Sequence, residues 1–85
     1  MERYRVLVKP SALKELEAIP NKVVRQITRR IQFLAENPRP SGTEKLSAQE
    51  RYRLRQGDYR ILYEINDKAK IVDVVKIAHR REVYR

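Results

Sequence analysis

Eighty-five residues make one domain and leave no room for a second, so function must sit on one small core spanning residues 1–85. Twenty Lys and Arg against 11 Asp and Glu leave a net charge of +9, which asks for a polyanionic partner. With no cysteine there is no disulfide framework and no thiolate metal site, and the one histidine cannot make a zinc site alone, so no metal or other cofactor is expected.

The opening MERYRVLVK has no apolar run between its charges and a cleavage site, and nowhere do 18 apolar residues follow one another. A soluble cytoplasmic protein with no membrane association is therefore expected. Tyr4 to Lys9 alternates weakly and is rich in β-formers, reading as a first strand that Pro10 ends. Ser11 is a plausible N-cap for a short helix through Ile19, with Ala12, Leu13 and Leu16 on its buried stripe. After Pro20-Asn21, apolar Val23, Val24, Ile27, Ile31 and Leu34 recur at helical spacing between Lys22 and Glu36, leaving Arg25, Arg29 and Arg30 outside. The loop from Asn37 to Gly42 (NPRPSG) has two prolines and a glycine, and regular structure resumes near Glu50.

RYRLRQGDYRILYEI then reads as two strands around Gly57-Asp58, a pair suited to a two-residue hairpin turn, and KIVDVVKIA reads as a last strand after a turn near Asp67-Lys68. The order β-α-α-β-β-β predicts an α+β fold, a helical hairpin on one face of a mainly antiparallel four-stranded sheet with a short C-terminal turn or helix. That hairpin register sets Arg55 opposite Arg60, Leu54 opposite Ile61 and Tyr52 opposite Tyr63. Tyr52, Leu54, Ile61 and Tyr63 then share the apolar face, and Arg53, Arg55 and Arg60 the other. Carried across the second turn, the count puts Val72 and Val74 on the apolar face. It puts Val75, Ile77 and His79 on the arginine face, with His79 level with Gln56. Paired like charges on a sheet repel, so Arg55 and Arg60 carry a local cost unless an anion screens them. A solvated arginine face offset by Glu64 or Asp73 is the plain alternative. The ending HRREVYR adds guanidinium groups that hold phosphate oxygens and a tyrosine that can stack on an unpaired base, a combination suited to single-stranded RNA.

KPSALKELEAIP, ENPRP, YRLRQGDYRILYEI and KIAHRREVYR together resemble the RelE/ParE superfamily of toxins from type II toxin–antitoxin modules, and its RelE branch in particular. The resemblance covers nearly the whole chain. It implies a metal-independent endoribonuclease that cuts mRNA in the 30S A site of the ribosome, halts translation, and is silenced by a RelB-like antitoxin in a hetero-oligomer. By position it implies Arg53 and Arg55 as RNA-binding residues, where known members carry lysines, and Arg60, Arg80 and Tyr84 as catalytic ones, Arg81 being the neighbour that competes with Arg80 for its role. The mechanism implied is attack by the 2'-hydroxyl on the adjacent phosphate. An arginine keeps its proton, so the base falls to Tyr84 or His79. The alternatives are a ParE-like inhibitor of DNA gyrase and an RNA-binding module without chemistry.

Overall fold

The computed structural model describes residues 3–46 and 50–83. Tyr84, one of the expected catalytic residues, lies outside them. In chain order the elements are β1 (Arg5–Val8), α1 (Pro10–Leu16), α2 (Asn21–Phe33), β2 (Thr43–Lys45), β3 (Arg51–Gln56), β4 (Tyr59–Asn66), β5 (Ile71–His79) and α3 (Arg80–Val83). The sheet has five strands in the order β1-β5-β4-β3-β2, with β1 parallel to β5 and the other pairs antiparallel. The α+β class stands, and the expected four strands become five.

The added strand is β2. Its three residues, TEK, carry little β-propensity, and tertiary contacts fix it. Tyr63 donates its hydroxyl to the Pro38 carbonyl at 2.7 Å and meets the Thr43 hydroxyl at 3.3 Å, which draws the proline loop and the start of β2 onto the sheet. Helix α1 begins at Pro10 rather than after Ser11, and Lys9, its N-cap, makes no side-chain capping bond. Proline suits the first helical position because its φ is preset and its missing N–H has no partner there anyway.

The core lies between the helices and one sheet face. Ala12, Ile27, Ile31 and Leu34 meet Leu54, Ile61, Tyr63, Val72, Val74 and Ile77, with Tyr52 stacked on Tyr63 at 5.8 Å between centroids. Leu13, expected on the buried stripe of α1, is instead exposed, while Leu16 packs against the core. The hairpin register is as read, with Arg55 opposite Arg60 and Tyr52 opposite Tyr63. Gly57 alone of the two turn residues takes a positive φ, +59°, the pattern of a type II' turn.

Beyond the second turn the count changes. Asn66 pairs with Ile71 and Tyr63 with Val74, but Leu62 pairs with Lys76, so a bulge leaves Val75 unopposed. One extra residue reverses the alternation. Val72 and Val74 face the helices as expected, whereas Ile77 and His79, opposite Ile61 and Tyr59, face the helices too rather than joining the arginines. His79 remains level with Gln56, through Tyr59.

Strand β1 ends at Val8 and leaves the second half of β5 without a neighbour on that side. Helix α1 covers this edge. The Glu15 carboxylate accepts the Ile77 backbone N–H at 2.9 Å and the Lys76 ammonium at 3.0 Å. A side chain thus completes a ladder the sheet does not extend, a common way of closing an exposed strand edge.

Candidate functional site

Helices α1 and α2 pack on the first face of the sheet; on the second, acidic side chains gather at one end and arginines at the other. At one end Glu64 stands directly opposite Asp73, and with Glu50 they line a shallow depression. Arg51 is committed there, donating to Glu64 at 2.7 Å and 3.2 Å. Neither Glu64 nor Asp73 therefore offsets the arginines at the other end.

Those arginines line two adjoining clefts. One, of about 160 Å³, is formed by Gly42, Glu44, Arg53, Arg55 and Arg60. The other, about 460 Å³ and more open, is formed by Arg55, Arg60, Arg80 and Arg81. Arg55 and Arg60 belong to both, so five of the expected site residues converge on one continuous surface. They come from β3, β4 and α3, and each arrives for a local reason. The hairpin register sets Arg55 beside Arg60. The Arg80 N–H donates to the Asp58 carbonyl at 2.8 Å, which folds the chain after β5 back onto the hairpin tip.

Arg60 is the one buried charged residue among the described residues, at 4% exposure. Its Nη1 donates to the carbonyls of Gly57 at 3.1 Å and Tyr59 at 3.0 Å, and no carboxylate among the described residues forms an ion pair with it. Ala78 stands opposite Arg60 on β5, and Arg60 lines both clefts. A buried cation that meets only neutral carbonyls is costly, and a bound anion relieves that cost. Arg30 adds to the positive field: expected on the outer face of its helix, it is half-buried and reaches the Arg55 carbonyl at 3.4 Å.

His79 does not join this group. Its ring meets Tyr59 edge-on at 5.4 Å between centroids, beside Glu15 and Ala18 of the helical layer, and its Nδ1 accepts the Arg81 N–H at 3.3 Å. Its place is that of a cap that fixes the start of α3. The bulge after Val74 is the reason, and the alternation of the sequence carries no sign of it.

Glu44 was missed by sequence reasoning. It lies opposite Arg53 and accepts a bond from its Nη2 at 2.5 Å, so a carboxylate stands inside the arginine clefts. Finding it depended on β2, for which the sequence has almost no signal.

The proline loop that leads into β2 is held by a second network. Arg39 donates to Asp67 at 2.8 Å and 3.2 Å, to Glu50 at 3.1 Å and to the Tyr52 hydroxyl at 3.1 Å, with its guanidinium over the Tyr52 ring. Tyr4 donates to Asp67 at 2.5 Å and Tyr52 to Glu50 at 2.6 Å. The bond from Arg39, then that from Tyr4, lowers the Asp67 carboxyl to about 2. Glu50 is likewise lowered, first by Tyr52 and then by Lys45 and Arg39. The hydrogen bond from Arg39 to Asp67 raises the guanidinium above its usual range, while burial pushes the Tyr63 phenol up.

A helical hairpin thus lies behind a sheet whose other face gathers arginines around one buried cation. The family model for the ParE toxin of type II toxin–antitoxin systems matches residues 6–84, and the chain belongs to that family. Among solved structures it is similar to the RelE–RelB complex of the archaeon Pyrococcus horikoshii, at 28% identity and a TM-score of 0.81 over 94% of this chain and 97% of that one. A mutant RelE toxin of E. coli in the free state is 28% identical with a TM-score of 0.76, over 96% and 90% of the two chains. The toxin–antitoxin complex RelBE2 of Mycobacterium tuberculosis shares the fold, with a TM-score of 0.80 at 23% identity over 92% and 99%. No curated protein sequence matches the chain significantly.

Proposed function

We propose that the arginine clefts hold the backbone of single-stranded mRNA and that the protein is a ribosome-dependent endoribonuclease toxin. The observation that carries this reading is Arg60, a buried cation with no carboxylate partner among the described residues, which shares a cleft with Arg55, Arg80 and Arg81. Guanidinium groups bind phosphate oxygens in pairs, and fixed cations stabilise the charge that develops when the 2'-hydroxyl attacks the adjacent phosphorus. In this reading Arg60 and Arg80 hold the reacting phosphate, and Arg53, Arg55 and Arg81 the neighbouring backbone. Tyr84, four residues beyond Arg80 in sequence, stacks on a base or assists the reaction. His79 acts by fixing the tail.

The partner is a cognate RelB-like antitoxin. Relatives of known structure are complexes with such proteins, and the cationic, uncovered sheet face suits an acidic chain that folds onto it. Its binding blocks the clefts or displaces the 79–85 segment.

Primer extension on a message engaged by programmed ribosomes should reveal cuts within the A-site codon, lost in Arg60→Ala. Intact message with the wild-type protein overturns the activity. A second reading, gyrase inhibition without RNA cleavage, has the family model itself in its favour. It predicts loss of DNA supercoiling by purified gyrase while translation continues.

A further inference from the structure

The ladder between β2 and β3 stops beside the arginine clefts. Its last pair is Thr43 with Leu54, because Gly42 turns the chain away at a φ of +90° and the Pro40 carbonyl takes the Thr43 N–H at 3.1 Å. On the other side of β3, Gln56 and Tyr59 flank the two-residue turn as its hydrogen-bonded pair. The next pair, Arg55 and Arg60, therefore points its backbone groups outward. The Arg55 carbonyl faces the side that β2 has left.

Arg30 takes that place. It stands in the last turn of α2, and its Nη2 reaches from the helical layer to the Arg55 carbonyl at 3.4 Å. The bond is long, and the Arg30 Nε is the one buried side-chain polar atom without a hydrogen-bond partner among the described residues. An unsatisfied buried donor costs more than one long hydrogen bond returns. A further cation behind Arg55 also adds repulsion to a surface already crowded with guanidinium groups. Stability alone therefore gives no reason for an arginine at this position.

We propose that Arg30 is a positioning residue of the phosphate site, acting through Arg55, an assignment that rests on the reading of the clefts as holding RNA phosphate. Arg55 and Arg60 are directly opposed like charges, and their repulsion pushes the free end of β3 away from β4. Arg30 grips that end from outside, as Arg60 is gripped by the carbonyls of Gly57 and Tyr59. The two side chains that line both clefts are thus set in place before a phosphate comes to screen them.

The test is a double-mutant cycle on Arg30→Met and Arg55→Met. It is read by single-turnover cleavage on programmed ribosomes and by NMR titration of the purified proteins with inorganic phosphate. Arg30→Met should cut about 10- to 100-fold more slowly, the scale of an ångström-sized misplacement, and bind phosphate more weakly. Its melting temperature without phosphate should equal or exceed that of wild type, since the unpartnered donor is gone. Arg30→Lys keeps a cation and a donor and should retain most of both activities. In the Arg55→Met background, Arg30→Met should lower either readout by less than about twofold more, because its route to the site has been removed. Cleavage and phosphate binding by Arg30→Met both within about threefold of wild type overturn the proposal. An equal further loss in both backgrounds overturns it too, since Arg30 would then act independently of Arg55. So does a loss in Arg30→Met and Arg30→Lys that follows a fall in melting temperature, which makes Arg30 a residue of the fold. A wild-type protein that cuts nothing removes the RNA-cleaving reading, and the cycle in phosphate binding then decides the role of Arg30. A wild type that also binds no phosphate overturns both.

Discussion

Arg60 turns its guanidinium back onto the carbonyl of Gly57, the residue that bends its own hairpin. The hairpin thus holds a cation in place at its tip through the carbonyls of Gly57 and Tyr59, so the charge is fixed before any ligand arrives. Preorganised charge of this kind favours anion binding at a cost to the unliganded fold.

That cost can be measured. Sulfate or phosphate should raise the melting temperature of the wild type, since a ligand at 100 times its Kd adds about 2.7 kcal/mol to stability. Arg60→Met should abolish this response. Its stability in the absence of anions should stay within about 1 kcal/mol of wild type, because losing two part-buried hydrogen bonds is offset by removing a buried charge that meets only carbonyls. An anion response in Arg60→Met equal to that of the wild type would disprove the role given to Arg60.

Glu15 makes a structural prediction of a different kind. It supplies the acceptor for the Ile77 N–H where β1 has stopped. Glu15→Ala leaves that half-buried donor without its partner, at a cost of about 1–3 kcal/mol. Amide exchange at Ile77 should accelerate by more than tenfold in native conditions, while exchange at Val72, paired within the sheet, follows only the global loss. Equal acceleration at both positions would show that Glu15 acts on the whole fold rather than on this edge.

The hairpin register, and with it the meeting of Arg55 and Arg60, was legible in the sequence because Gly57-Asp58 and the alternation on both sides of it agree. Val23, Val24, Ile27 and Ile31 marked the second helix for the same reason: local pattern and tertiary role coincide. Three features were not legible. The strand Thr43–Lys45 forms through contacts with Tyr63 and β3 rather than by propensity, and it brought Glu44 with it. The bulge at Val75 obeys pairing constraints from β4 that no local signal encodes, and it moved His79. The polar edge contact of Glu15 joins residues 62 apart in sequence. All three depend on distant partners, where a reading by period and turn has nothing to count.

His79 offers a direct check on the bulge. Its ring contacts Tyr59 and its Nδ1 accepts from the Arg81 backbone, so in the proposed reading it positions the tail. His79→Phe keeps the ring contact and removes the acceptor. Cleavage should fall by no more than about tenfold, a loss of roughly 1.4 kcal/mol in transition-state stabilisation, with the shape of the pH–rate profile unchanged. A loss of a hundredfold or more would return His79 to the chemistry.

Asp67 predicts how the fold responds to acid. Its carboxyl sits at about 2 in the folded protein, below an ordinary value of 3.8, because Arg39 and then Tyr4 bond to the charged form. A depressed folded value means the unfolded chain binds the proton first as pH falls. The stabilisation is therefore complete above about pH 5, declines through 3.8 and is gone below about 2. Asp67→Asn should be less stable than wild type at pH 7, and the two urea midpoints should converge as pH approaches 2. Glu50, lowered mainly by Tyr52, adds an acid-sensitive contribution common to both proteins. The gap should also narrow in high salt, since the pair is solvent-exposed. A gap that stays constant down to pH 2 would assign the Asn effect to lost packing instead. Arg39 anchors the loop that leads into β2, so the same acid range should speed amide exchange at Thr43–Lys45 before the rest of the sheet, and with it loosen the strand that carries Glu44.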